Sequence, residues 1–271
     1  MQMWFMSFIS KYIGTSSYML PCLLITLLLC SCIGGQDGRD KFSEAEEAFS
    51  EGRINEAGRL YERFLDTDMR SPRRFEAWNR LLLIHLDIER DIERGLNILK
   101  TMSVEYEFEE EYQWSILIRI GRLYARMNRF EDSMEVLERS VRAAGNHDQL
   151  FDSYITMAEL YYHMRDFVQV SEVVKDIKHL LPNLCSTRQG RINYLLGKTY
   201  YQLGETDMAI QYLNDTFYSE SNEHQRSKAG ILLFDIYLER GKTSEAELLI
   251  RDLEKIYPNP MVIKKRMETI Q

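Results

Sequence analysis

Four tyrosines recur along the chain at nearly constant spacing, and the segments around them align with one another. Tyr124, Tyr161, Tyr200 and Tyr237 are separated by 37, 39 and 37 residues. The aligned segments are LIRIGRLYARMNRFEDSMEVLERS, YITMAELYYHMRDFVQVSEVVKDI and NYLLGKTYYQLGETDMAIQYLNDT. A repeat of this length buries its apolar face only by stacking on its neighbours. The spacing therefore predicts one continuous array of repeats.

The spacing of apolar side chains indicates the secondary structure of each repeat. From Phe42 onward apolar residues recur three and four positions apart, with little strand-like alternation, and this pattern predicts helices throughout. Prolines are few in this region. Pro182 and Pro258 follow aligned apolar segments, and we expect them to stop helices because proline has no amide hydrogen. The predicted fold class is all-α.

Small residues mark two positions of each aligned block. Three residues before each tyrosine lie Gly121, Ala158, Gly197 and Phe234, and twelve residues further on lie Ser133, Val170, Ala209 and Ala246. These blocks resemble the tetratricopeptide repeat, whose pattern is W-x2-L-G-x2-Y followed by A-x3-F. The resemblance implies that the two positions face each other where helix A and helix B of a repeat approach most closely.

Two earlier segments fit the same pattern and complete the predicted architecture. Ala45 and Ala57 keep the spacing of twelve, whereas Leu82 and Gly95 are thirteen apart, which predicts an inter-helix turn one residue longer. We expect a tetratricopeptide superhelix, an α-solenoid of about six helix-turn-helix repeats, over residues 42–260. Residues 261–271 are predicted to be a C-terminal tail or the end of a capping helix.

The N-terminal segment has the features of a targeting signal. Residues 19–29 are almost wholly apolar, Lys11 precedes them, and Leu29-Cys30-Ser31-Cys32 resembles the bacterial lipobox. The resemblance implies cleavage before Cys32, a diacylglyceryl group on its thiol and acylation, for example with palmitate, of its freed amine. Residues 1–31 are thus a predicted signal peptide, and residues 32–41 a lipidated N-terminus with a flexible tether.

Two alternatives remain open for this segment. Residues 4–9 are also apolar and could extend the run into an uncleaved inner-membrane anchor, and translation could start at Met6. Ile33, not aspartate, follows the predicted lipidation position, and this differs from the inner-membrane retention signal of enteric bacteria. We therefore expect a lipid-anchored protein at the periplasmic face of the outer membrane.

Charge and cysteine content limit the possible functions. Residues 32–271 contain 33 basic and 42 acidic residues, a formal net charge of −9, which argues against nucleic-acid binding. After lipidation of Cys32, Cys185 is the one remaining thiol, so no intramolecular disulfide is expected. An unpaired cysteine usually packs as a small apolar group, which predicts that Cys185 is buried.

No sequence motif indicates catalysis, a metal or a cofactor. The five histidines show no i, i+4 pairing, and no H-E-x-x-H, G-x-S-x-G, Walker loop or dinucleotide fingerprint is present. We therefore predict a protein that is not an enzyme and that binds no metal and no cofactor.

The resemblance also suggests a binding site. In the family, five places of helix A line the concave groove. In three successive repeats these places include Arg122 and Arg126, then Tyr162, then Arg191, Tyr194, Lys198 and Tyr201. Tyrosine and arginine are enriched at binding hot spots. We predict that these seven residues form a groove for a peptide or loop that carries carboxylates. The alternative is that Tyr162 and Tyr201 only pack between adjacent A helices.

The lipobox, short tether and repeats together resemble the architecture of tetratricopeptide lipoproteins of bacterial envelopes, including the one in the outer-membrane β-barrel assembly machine. The resemblance implies a membrane-anchored scaffold or adaptor for envelope proteins or peptides. Two alternatives are a structural spacer without a ligand and, least favoured, an envelope enzyme with an unrecognised site.

Overall fold

The structure, a computed structural model, describes residues 40–219 and 222–268. Over these two ranges it contains helices and no strand, which confirms the predicted all-α class. The predicted signal peptide 1–31, Cys32 and the tether as far as residue 39 lie outside the described residues.

Thirteen α-helices and one π-helical segment make up the described ranges. They are α1 Lys41–Ser50, α2 Ile54–Thr67, α3 Arg74–Leu82 with the π-helical segment Leu83–Ile88, α4 Ile92–Glu105, α5 Glu110–Arg126, α6 Phe130–Arg142, α7 His147–His163, α8 Phe167–Leu180, α9 Ser186–Gln202, α10 Thr206–Phe217, α11 Glu223–Glu239, α12 Thr243–Glu254 and α13 Pro260–Met267.

Along the first twelve α-helices the same kind of turn occurs six times, after every odd-numbered helix and, for α3, after its π-helical extension. Every turn has three residues, and its central residue has a positive φ. Glycine adopts this left-handed backbone conformation without a steric penalty. Three of the six central positions are glycine and the others are Asn or Arg: Gly52, Arg90, Asn128, Arg165, Gly204 and Gly241. The geometry of the turn is therefore a constant feature of the repeat.

The prediction of a longer turn in the second repeat is wrong. That turn has the standard three residues with Arg90 at φ 58°, and α3 instead continues into the π-helical segment Leu83–Ile88. A π-helical turn contains more residues than an α-helical one, so it absorbs an insertion without changing the next turn. The extra residue between Leu82 and Gly95 is thus accommodated in the helix.

The chain divides into two compact units, with the boundary between Ile84 and His85. In the first unit α1, α2 and α3 pack in sequence order. The hydroxyl of Tyr61 donates to a carboxylate oxygen of Glu46 at 2.5 Å, and the guanidinium of Arg80 donates to both oxygens at 2.7 and 2.8 Å. Burial alone would raise the pKa of Glu46, but these hydrogen bonds outweigh it and hold the pKa below its ordinary value.

In the second unit successive helices pack on one another, and the A helices α5, α7, α9 and α11 also lie beside one another. The small positions of the repeat make this packing possible. The hydroxyl of Ser133 on α6 donates to the carbonyl oxygen of Gly121 on α5 at 2.8 Å. A Cβ atom on Gly121 would lie 2.6 Å from Cδ2 of Leu137, too close for ordinary contact. Any other residue at this position would therefore force the side chain of Leu137 to move where helices A and B of this repeat meet.

Two further expectations concern Cys185 and the chain after the last repeat. Cys185 is exposed, so the prediction that it is buried is wrong. The residue lies in the connection before α9 as its N-cap, where the chain runs along the surface.

The region predicted as a tail or capping helix contains α13, which buries Ile263. Over the described ranges, no helix is both long and apolar enough to cross a membrane.

Replacement of Gly121 by leucine tests the register of the repeat. We expect Gly121→Leu to lower the free energy of unfolding by about 1–3 kcal/mol, because the new side chain overpacks the contact with Leu137. Chemical denaturation monitored by circular dichroism measures the change. Gly145→Ala is the control, because the nearest atom to its added Cβ is 3.6 Å away. Equal stability of the two variants would contradict the assigned register.

Candidate functional site

Four of the seven predicted site residues meet in one cavity of the second unit. The cavity has a volume of about 550 Å³. We call it the tyrosine cavity, because one side is lined by Tyr162 of α7 and by Tyr194, Lys198 and Tyr201 of α9. The three α9 residues follow the spacing i, i+4, i+7, so they lie on one face of the helix. The structure thus brings four of the predicted residues together at one cavity.

The other side of the tyrosine cavity comes from α11 and from the segment after α12. Ile231 and Leu232 of α11 supply apolar surface, together with Tyr257 and Pro258 beyond α12. Most of the lining is apolar, and a few polar groups converge on it, as is usual in ligand sites. The cavity can therefore hold an apolar side chain of a ligand, and its polar groups can fix the orientation of that ligand.

Lys198 supplies the half-buried positive charge of the tyrosine cavity. Its Nζ atom lies 3.9 Å from the ring centroid of Tyr162 and 5.7 Å from that of Tyr194, within cation–π range. Burial lowers the pKa of Lys198, whereas the nearby Glu159 acts in the opposite direction. No described residue accepts a hydrogen bond from Nζ. The ammonium group thus retains hydrogen-bonding capacity for a ligand.

The tyrosine hydroxyls differ in their hydrogen bonding. Tyr201 donates to the carboxylate of Glu239, with its hydroxyl oxygen 2.8 Å from both oxygens, and this hydrogen bond raises the pKa of Tyr201. Burial raises the pKa of Tyr162 and of Tyr194. Within the described chain, neither of these two hydroxyls has a hydrogen-bond partner. Tyr201 is thus partly structural, and the other two hydroxyls are available to a ligand.

The cavity has more free positive than negative charge. Asp235 on α11 forms an ion pair with Arg266 of α13, and this pair offsets the negative charge of the Asp235 carboxylate. Lys228, also on α11, is exposed and forms no ion pair with any residue in the described ranges. Lys198 and Lys228 therefore favour an anionic group at this site.

Arg122 and Arg126 of α5 line a second cavity, of about 490 Å³, with Thr156 and His163 of α7. We call it the arginine cavity. The guanidinium of Arg122 donates to the hydroxyl of Thr156 at 3.3 Å. Arg126 is exposed, and among the described residues no carboxylate pairs with either arginine. Both guanidinium groups can therefore accept an anionic ligand.

Arg191 lines neither of these cavities. Its guanidinium lies 3.0 Å from a carboxylate oxygen of Asp152 and 3.1 Å from one of Glu159, both on α7. These ion pairs join α7 to α9. They also offset the negative charge of Glu159, which lines the arginine cavity. The structure thus places Arg191 in a contact between neighbouring A helices.

The sequence interpretation overlooked the residues of α11. It read the groove places only in repeats three to five. The spacing between the last two repeats is 37 residues, so the same groove places on α11 lie 37 residues after those on α9. This shift predicts Lys228, Ile231 and Asp235, which line the tyrosine cavity, and Glu239, which binds Tyr201. Extension of the register by one repeat would have found them.

Comparisons with known proteins agree with this geometry. Residues 115–147 and 190–215 match the family model described as "Tetratricopeptide repeat". The fold is the tetratricopeptide repeat fold. The first segment includes Arg122 and Arg126 of the arginine cavity, and the second includes Tyr194, Lys198 and Tyr201 of the tyrosine cavity. No curated protein sequence matches the chain.

Solved structures share the tetratricopeptide fold at low sequence identity. A tetratricopeptide repeat protein from Parabacteroides merdae has a TM-score of 0.59 at 15% identity, covering 85% of this chain and 82% of that one. PilW, a type IV pilus biogenesis factor, has a TM-score of 0.57 at 16% identity, covering 88% and 99%. BtubC from P. vanneervenii has a TM-score of 0.56 at 16% identity, covering 81% and 93%.

Tetratricopeptide repeats are protein-interaction scaffolds, and the comparisons indicate no enzyme family. Over the described ranges, no group of three or more His, Cys, Asp or Glu side chains could hold a metal ion. The tetratricopeptide fold of this region suggests recognition of another protein or peptide.

Removal of single hydroxyls tests which tyrosines are structural. We expect Tyr201→Phe to lower the free energy of unfolding by about 1 kcal/mol, because it loses the hydrogen bond to Glu239. Tyr194→Phe should change it by less than about 0.5 kcal/mol, since that hydroxyl has no described partner. Thermal denaturation of both variants provides the comparison. A larger loss for Tyr194→Phe would contradict the assignment.

Proposed function

We propose that this protein is a membrane-anchored tetratricopeptide scaffold or adaptor that binds another protein of the bacterial cell envelope. The observation that carries the proposal is the tyrosine cavity, where Lys198 meets an apolar wall and two tyrosine hydroxyls. Among the described residues, neither its ammonium group nor these hydroxyls has a hydrogen-bond partner. A chain that acted only as a spacer would gain nothing from a half-buried lysine that lacks an acceptor, because burial of a charge has a cost.

The role in the envelope rests on the N-terminal sequence and on one structural relative. Acylation at Cys32 would fix the chain to a membrane, since several acyl chains together anchor stably. PilW, which shares the fold, is described as a widely conserved type IV pilus biogenesis factor. That likeness supports a function in assembly at the envelope and does not name the pathway.

The tether would set the working distance of the scaffold. Nine residues separate Cys32 from Phe42, and such a segment spans at most about 30 Å when fully extended. Because Ile33 follows the lipidated cysteine, we place the protein at the periplasmic face of the outer membrane. The repeats would then hold their partner close to that surface.

Copurification from gently solubilised membranes tests the scaffold function. We expect a specific partner, identified by mass spectrometry, to be lost from the triple variant Tyr194→Ala, Lys198→Ala, Tyr201→Ala at equal abundance. The reason is that these side chains form one wall of the tyrosine cavity. Lys175→Ala, Lys178→Ala is the matched control, because both lysines are exposed on α8. It should retain the partner.

Two results of this experiment would count against the proposal. If the triple variant retained every partner, the tyrosine cavity would be packing alone, and binding would lie elsewhere on the chain. If wild-type protein copurified with no partner, the spacer alternative would be favoured. Circular dichroism of the triple variant must show intact helices for either comparison to hold.

Replacement of Cys32 tests the anchor. We expect Cys32→Ala to accumulate as an unlipidated precursor, because alanine has no thiol for the diacylglyceryl group. Gel mobility and labelling with a fatty-acid analogue measure this directly. Cys30→Ala is the control and should be processed and lipidated normally. Normal processing and membrane retention of Cys32→Ala would exclude the lipobox interpretation.

A further inference from the structure

The tyrosine and arginine cavities lie next to each other on the last turn of α7. Tyr162 lines the first cavity and His163, its neighbour in the chain, lines the second. The end of α7 therefore forms the ridge between them. A ligand that lies across this ridge contacts both cavities.

The two cavities differ in chemistry. Ile231, Leu232 and Pro258 give the tyrosine cavity an apolar wall that suits an aromatic or large aliphatic side chain. Arg122 and Arg126 give the arginine cavity two guanidinium groups, and the described residues supply no carboxylate partner for either. Guanidinium groups bind carboxylates through paired, charge-assisted hydrogen bonds. One cavity therefore suits an apolar anchor, and the other suits an acidic side chain.

We propose that the partner binds through one extended, acidic segment that crosses α5, α7 and α9. An aromatic or large aliphatic side chain of the segment enters the tyrosine cavity beside Lys198, and a Glu or Asp enters the arginine cavity. This inference rests on the proposed function, because it specifies the chemistry of the partner at the same face.

Helix geometry sets the spacing of the two side chains in the segment. Packed helices lie about 8–10 Å apart. The arginine cavity lies between α5 and α7, and the tyrosine cavity lies mainly between α9 and α11. About two helix spacings, roughly 18 Å, therefore separate them. An extended chain advances about 3.3 Å per residue. The acidic and apolar side chains should therefore be about five to six residues apart.

The charges of neighbouring side chains support an anionic segment. Glu159 of α7 lines the arginine cavity, and its carboxylate is bound by Arg191. Asp235 is bound by Arg266. These pairings leave Arg122 and Lys198 without an ion pair among the described residues, although both interact electrostatically with Glu159. A segment with acidic side chains would supply the missing counter-charge.

Fluorescence anisotropy with designed peptides tests the inference on the full-length chain in detergent micelles. Each labelled peptide has about twelve residues in a flexible Gly/Ser background, with one Trp and one Glu-Glu pair at a separation that varies across the set. We expect the tightest binding at separations of about five to six residues. Replacement of Glu-Glu by Lys-Lys should weaken binding about tenfold or more.

A variant of the protein separates the two cavities. Arg126→Ala should weaken binding of the Glu-Glu peptide about tenfold and leave binding of the matched Gln-Gln peptide unchanged. Arg126 is suited to this test because it is exposed and no other described residue pairs with it. Arg139→Ala on α6 is the control, since Arg139 lines neither cavity, and it should bind both peptides as the wild type does.

Three results would overturn the inference: equal binding of the Lys-Lys peptide, affinity that does not depend on the separation, or no binding of any peptide up to about 1 mM. These failures are distinct from failure of the proposed function. If the peptides fail but the triple variant still loses its copurified partner, the scaffold function stands and only the acidic segment is excluded.

Discussion

The close approach of helix A to helix B within each repeat is the constraint on which the structure depends. At Gly121 the backbone comes near enough to accept a hydrogen bond from Ser133 and leaves no room for a Cβ atom beside Leu137. Gly197 shows the same contact with Leu213, where an added Cβ would lie 2.7 Å from Cγ. With these contacts closed, the A helices α5, α7, α9 and α11 lie side by side, and this arrangement aligns their exposed faces. Both cavities result from that alignment.

The alignment also brings side chains from successive repeats into one row. The position of Arg122 recurs in the next three A helices as Glu159, Lys198 and Asp235, so the charge alternates along the row. The two carboxylates are bound by arginines outside the row, Arg191 and Arg266. The two cations have no such partner among the described residues. Ion pairs that stabilise the helix array therefore leave a face with free positive charge.

Much of the fold could be predicted because the repeat makes the same physical demands six times. The small positions, the apolar spacing and the register of Tyr194, Lys198 and Tyr201 all follow from helix periodicity, which the sequence shows directly. The extra residue before Gly95 could not be located, since a π-helical segment and a longer turn give the same spacing. Cys185 was misjudged because its exposure depends on the path of a connection, which has no periodic signal.

The candidate site could be predicted only in part, because pairing between repeats is a tertiary property. Tyrosine and arginine at groove places indicate a surface, but sequence spacing does not show which cation meets a carboxylate. Arg191 and Lys198 look alike in the pattern, yet Arg191 bridges two carboxylates and Lys198 faces tyrosine rings.

Site-specific photocrosslinking in living cells tests the central claim most directly. A photoreactive benzoylphenylalanine at Ile231 would lie in the wall of the tyrosine cavity, whereas the same group at Leu248 would lie on the exposed surface of α12. The account predicts a discrete crosslinked protein from position 231 and none from position 248. An absence of crosslinks at 231, or identical products from both positions, would contradict the claim that this cavity binds a protein partner.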